Sequence, residues 1–185
     1  MYKNYKKFII EFDKKIKKLQ IQQKDYIFCR KGCCLCCEKG EYPFSQIEFG
    51  YLTEGYLKLN SEIRNIVKKN IEILLVEKQK SKNKRFEHKC PFLINNECSV
   101  YEYRGIICRT FGLCYYDEKE GYVRLPECVK NGLNYSKYYN KETKELYIDD
   151  VPMENLRIDA VLNSNLAKEY GIVCEEIRPM LNWIS

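Results

Sequence analysis

Two cysteine-dense blocks constrain this chain more than any other feature of its sequence. The first is Cys29-Arg30-Lys31-Gly32-Cys33-Cys34-Leu35-Cys36-Cys37, and the second runs from Cys90 through Cys98 to Cys108. With Cys114, Cys128 and Cys174 they bring the count to 11 in 185 residues. A chain of this length buries enough surface to fold without covalent staples, so the cysteines need another explanation. The expected compartment is the cytoplasm: Lys and Asp interrupt the short apolar run near Phe8–Phe12, which argues against a signal peptide. No apolar stretch is long enough to span a bilayer. Structural disulfides are rare in the cytoplasm, and dense cysteines there more often hold metal.

Positions three and four apart share a face where the backbone is turned or helical. Cys29, Cys33 and Cys36 or Cys37 can therefore converge, and Gly32 gives the chain freedom to bend before Cys33. Thiolates bind Zn²⁺ and also hold iron–sulfur clusters. Adjacent Cys36 and Cys37 do not easily reach one centre from a regular element. Cys34, beside Cys33, is expected to be a buried bystander. Two plainer readings compete with metal: unrelated buried thiols, and a thiol–disulfide centre at the Cys33–Cys36 CxxC spacing. His88, the sole histidine, is expected to be exposed in a basic loop. Arg104 and Arg109 stand where they could stabilise thiolates by charge. The plain alternative for both is a surface arginine.

Around these blocks the pattern is mainly helical. Phe8, Phe12, Ile16 and Leu19 form one stripe of a lysine-rich helix over residues 3–24. A second helix follows Phe44, with Ser45 and Glu48 at capping-box spacing and Gly55 as its stop. A third runs from Ser61 to Val76, and Glu77–Lys89 is expected to be a solvated, mobile loop. Asn95-Asn96 predicts a hairpin, Tyr101–Arg104 a short helical turn, and Pro152–Tyr170 a further helix. The intervening helices must form a return hairpin if the two blocks are to meet. The expected fold is thus a single, mainly α, metal-stabilised helical domain over 1–185, with irregular cysteine-rich loops and one short β-hairpin.

The chain carries a formal charge of +6, concentrated in residues 1–24 and 78–89, while Glu142–Asp159 is mainly acidic. Metal-bound thiolates would lower that charge, so nucleic acid is not the expected partner. A protein partner or protein substrate is compatible with it.

The two blocks together resemble the YkgJ-like cysteine-cluster family, described as zinc- or iron-chelating proteins. The resemblance rests on the first block, on Cys90-Pro91-Phe92-Leu93, on Cys98-Ser99-Val100-Tyr101, and on Arg104 and Cys108-Arg109 before Phe111. It covers about residues 28–112. It implies Cys29, Cys33, Cys36, Cys37, Cys90, Cys98 and Cys108 as metal ligands and places the family's recurrent Tyr and Arg on Tyr101 and Arg104. With Arg109, these two are the candidate cofactor-contacting side chains. Gly105 replaces the usual proline, and Cys34 stands where the family often has a small residue. Cys114 and Cys128 are reserve ligands.

The family includes part of bacterial flagellin lysine N-methylases, which implies S-adenosylmethionine under a methylase alternative. The Cys29-x₃-Cys33-x₂-Cys36 spacing also resembles that of radical S-adenosylmethionine enzymes. Those enzymes carry it in a much larger α/β barrel, whose regular strand–helix units are absent here. Three functions follow as expectations. The first is a metal-binding protein with one or two cysteine-ligated iron–sulfur centres, [4Fe–4S] among them, or zinc centres. The second is an iron–sulfur-dependent protein-modifying enzyme. The third is a metal-stabilised adaptor for protein or nucleic acid.

Overall fold

The computed structural model describes residues 2–30, 32–143, 145–148 and 151–184. Lys31 of the first block, and Lys144, Asp149 and Asp150 of the acidic stretch, lie outside the described residues. The molecule is mainly helical with a few short strands. Packing divides it into two compact units, each built from two stretches of chain. The first unit is Met1–Lys31 with Arg109–Cys174, and the second is Gly32–Cys108 with Glu175–Ser185.

The first unit opens with helix α1 (Lys3–Gln22). Its Phe8, Phe12, Ile16 and Leu19 stripe is buried, joined by Tyr5 and Ile9, as the periodicity predicts. Burying each such side chain contributes about 1.5–3 kcal/mol. A 3₁₀ turn at Lys24–Tyr26 follows. Gln23 between them is fully buried, and its Nε2 donates to the carbonyls of Pro152 (2.8 Å) and Cys114 (3.3 Å).

The expected helix over Pro152–Tyr170 is not continuous. Only α6 (Ile158–Leu162) and α7 (Asn165–Glu169) form. Asn163 and Ser164 break the run, and the Ser164 hydroxyl accepts from Ala167 N at 3.2 Å to start α7. Both residue types bond readily to nearby backbone, which competes with helix continuation. Upstream, the Pro152 carbonyl is taken by Gln23, and Arg157 pairs with Asp117 and Asp159. Strands β4 (Tyr115–Asp117) and β5 (Tyr122–Arg124) form an antiparallel hairpin that is not among the elements expected from the sequence.

In the second unit, a four-residue helix α2 (Leu35–Glu38) precedes strand β1 (Pro43–Ser45). β1 pairs antiparallel with β6 (Ile177–Pro179). Helix α3 (Gln46–Leu57) starts with the predicted capping box: the Ser45 side chain accepts from Glu48 N, and the Glu48 carboxylate accepts from Ser45 N. The other Glu48 carboxylate oxygen accepts from Ile106 N at 2.7 Å. One fully buried carboxylate therefore starts a helix and also anchors the second cysteine block.

Gly55 does not stop α3. It lies inside the helix, where a Cβ would come within 2.4 Å of Tyr103 Cγ, so glycine lets that ring pack onto the helix. Helix α4 (Ser61–Lys80) is capped by Asn60 and outruns the predicted end at Val76 by one turn. Glu77, Lys78, Gln79 and Lys80 are good helix formers, and Lys78 donates to Asn182. The segment read as a solvated loop is thus helical for its first third.

Strands β2 (Leu93–Ile94) and β3 (Glu97–Cys98) form the predicted hairpin, with Asn95 and Asn96 both at positive φ, the left-handed pair that a two-residue turn requires. A 3₁₀ turn at Tyr101–Tyr103 and the first turn of α5 (Ile106–Thr110) complete the unit. Among the described residues no helix is long and apolar enough to cross a membrane.

Candidate metal centre

The first and second cysteine blocks are stitched together within the second unit by four hydrogen bonds. Gly40 and His88 exchange both backbone bonds, at 3.0 and 2.8 Å, and Cys90 N donates to the Cys37 carbonyl at 2.8 Å. The fourth comes from Tyr42, whose hydroxyl reaches across to the His88 carbonyl at 3.2 Å as well as bonding the Cys37 carbonyl at 2.8 Å. Tyr42 is buried and left-handed (φ 52°). A Cβ on Gly40 would strike its ring at 2.8 Å.

These contacts bring cysteines from separate elements to one chamber. Cys90 (the loop after α4), Cys98 (β3) and Cys108 (α5) line a cavity of about 20 Å³ with Tyr42, Arg104 and Met180. Burial pushes the Cys90 thiol well up. It does the same to Cys108, reinforced by the neighbouring Cys90, Cys37 and Cys98 and opposed by Arg104. Cys37 moves the other way: the Cys36 thiol bonds to it and Arg104 attracts its charge, outweighing burial. Cys37, Cys90, Cys98 and Cys108 are thus within electrostatic reach of one another, and Cys36 borders them. Four neighbouring thiols disfavour one another's ionisation, and a cation relieves that.

Cys33 is exposed. Cys34 is not the buried bystander expected: it stands half-exposed at the start of α2, with its sulfur 3.7 Å from Glu38 Oε1. A four-residue helix is too short to bury it. Cys29 belongs to the first unit. It is exposed, and its sulfur accepts from Asn134 Nδ2 at 3.2 Å beside Gly112, where a Cβ would come within 2.8 Å of it. Cys114 is buried in that unit's core with Val129 and Tyr135, and burial pushes its thiol up to about 11. Cys128 lies in the 3₁₀ turn Glu127–Asn131.

Arg104 Nε donates to the Tyr101 carbonyl at 2.8 Å, and its guanidinium lies 3.4 Å from the centre of the Tyr101 ring. Tyr101 itself is exposed. Arg109, in the first unit, is buried and ion-paired with Asp13 of α1. His88 is not the exposed loop residue expected. It is buried by its bridge to Gly40 and by ring contacts with Tyr42 and Phe86, and burial lowers its imidazole pKa.

Sequence reasoning missed Tyr42 as the residue joining the blocks. The available signal was Gly40 and the Tyr42-Pro43 step, which mark an irregular turn after the cysteines.

The donor chemistry suits a thiophilic ion: three thiols share one chamber, a fourth is tied to it through the backbone, and a fixed cation lies alongside. Among the described residues, however, no three of Cys, His, Asp and Glu stand in a geometry that would hold a metal ion. The thiols converge without forming a closed shell. The chain matches no family model, no curated protein and no solved structure.

Proposed function

We propose that the second unit is a metal-binding module whose ligands come from Cys37, Cys90, Cys98 and Cys108, with Cys36 at the margin. The observation that carries this reading is the chamber shared by Cys90, Cys98 and Cys108. Cys29 and Cys33, which the family resemblance also implicates, are outer thiols in this reading. Tyr42 and the Gly40–His88 bridge hold the two blocks in register, and Arg104 offsets the thiolate charge. A bound ion would supply the cross-link that four separate segments otherwise lack and would contribute folding energy.

The size of the chamber supports a single tetrahedral ion such as zinc. About 20 Å³ exceeds the roughly 10–15 Å³ that one water needs. It falls far below the several hundred Å³ of a pocket for a molecule such as S-adenosylmethionine. The methylase alternative therefore gains nothing from this chamber. An iron–sulfur cluster, which all-thiolate ligation also suits, needs the walls to open.

Anaerobic purification followed by metal and acid-labile sulfide analysis tests the reading. About one zinc per chain without sulfide is the expected result. About four iron and four sulfide would replace zinc with a cubane at the same thiols. A protein that takes up neither metal under reducing conditions would overturn the proposal.

A further inference from the structure

Helix α4 uses only half of its surface. Val67 and Leu74 are buried, whereas Glu62, Ile66, Lys69, Ile73, Val76 and Lys80 are all exposed. Ile66, Ile73 and Val76 leave 38%, 48% and 50% of their surface in water. The six exposed residues follow one another at alternating steps of four and three. That spacing is the seam along which one helix packs on another in a coiled coil.

The seam is also a palindrome of complementary chemistry. Run against itself in the opposite direction, it sets Glu62 against Lys80, Ile66 against Val76, and Lys69 against Ile73. A two-fold axis then makes each contact twice, with both ends closed by opposite charges. Lys69 lays its aliphatic stem over the facing Ile73, and exposed Glu72 flanks the ammonium of the facing Lys69. Within the seam itself no like charges are paired. Parallel pairing would instead stack Glu62 on Glu62, Lys69 on Lys69 and Lys80 on Lys80, so the charges select the antiparallel arrangement.

We propose that α4 is a homodimerisation helix and that two copies of this chain pack antiparallel along the Glu62–Lys80 seam. The surface is isologous, as a two-fold dimer requires. It is about 30 Å long and one helix wide, at the low end of specific interfaces. The proposal uses no cysteine and stands independently of the metal reading.

Sedimentation velocity of the full chain under reducing conditions, from nanomolar to high micromolar concentration, tests it. The expected result is a reversible shift from 22.2 kDa to twice that mass. Ile73→Glu should hold the chain at the monomer mass with its far-UV circular dichroism unchanged. Glu62→Lys and Lys80→Glu should each weaken the dimer by about tenfold, and the double variant should recover most of that loss. Circular dichroism on the same samples separates loss of the dimer from loss of the helix. A chain that stays monomeric throughout, or a dimer indifferent to Ile73→Glu, would overturn the proposal. A double variant no better than its parents would overturn the antiparallel register.

Discussion

Burial raises the thiols of both Cys114 and Cys108, but the two sit in different company. In the first unit, Cys114 is a single thiol among neutral polar groups. Its sulfur lies 3.7 Å from Gln23 Oε1, which also accepts from the Tyr135 hydroxyl, and its backbone N donates to that hydroxyl. These groups satisfy one another without charge, and burial keeps the thiol protonated. In the second unit, Cys108 is desolvated beside Cys90, Cys98 and Cys37 with an arginine nearby. A lone buried cysteine behaves as a small hydrophobe, whereas under the proposed reading several together would be a liability that a bound cation relieves. The two thiols thus differ in the company they keep: one is alone, and the other neighbours three more thiols and an arginine.

The sharpest way to break the contrast is to remove one sulfur from each unit. Cys108→Ser should reduce bound metal, measured by elemental analysis after anaerobic purification, to about a tenth of wild type or less. Cys114→Ser should leave the metal content unchanged and lower unfolding stability by about 1–2 kcal/mol in a urea titration. Equal metal content in both variants would remove the distinction.

The next largest effect tests whether the second unit's frame exists without its thiols. Glu48→Ala strands Ser45 N and Ile106 N, two buried donors that its carboxylate now accepts from. It should cost about 3 kcal/mol in metal-free protein by denaturant titration. A smaller loss in the apo state would mean that metal, and not this carboxylate, organises the frame.

Tyr42→Phe acts on the joint between the blocks. The Cys37 carbonyl keeps the Cys90 N–H as a donor, and the His88 carbonyl keeps that of Gly40, so the fold should survive with a loss of about 1–2 kcal/mol. Metal transfer to a chromogenic chelator should speed up about tenfold, the low end of the usual cost of losing groups that orient ligands. An unchanged transfer rate would reduce Tyr42 to a packing residue.

The smallest effect is alkaline. The Cys114 thiol ionises near 9 when unfolded and at about 11 in its core. The unfolded chain therefore releases this proton first, and the stability it contributes is complete below pH 9 and lost as pH rises toward 11. Thermal melts should decline across that window, less steeply in Cys114→Ser.

Much of this molecule was legible where the signal was local. The α1 stripe, the Ser45–Glu48 capping box and the Asn95-Asn96 turn each lie within a few residues and formed as read. Longer-range features left no comparable mark. β1 and β6 are three residues each, and neither reads as a strand until the other is beside it. Gly55 resembles a helix stop because nothing nearby announces Tyr103. The basic run after Val76 concealed a further turn of helix, since charge says little about backbone. In the candidate site, Cys90, Cys98 and Cys108 line one cavity and Cys37 is bonded to Cys90 through the backbone, an adjacency that follows the order of the cysteines along the chain. The placement of Cys29 beside Asn134 and the burial of His88 depend on tertiary partners that spacing does not encode.

The pairing of β1 with β6 has a consequence for synthesis. The chamber's thiols are all translated by Cys108, but its Met180 wall and the Trp183 indole, which bonds the Phe44 carbonyl, come much later. Trp183 follows Cys108 by 75 residues. At ribosomal speeds of about 5–20 residues per second, the interval is on the order of ten seconds. During that time the nascent thiols sit in a half-built vessel open to the surrounding solution, and the final segment closes it like a stopper.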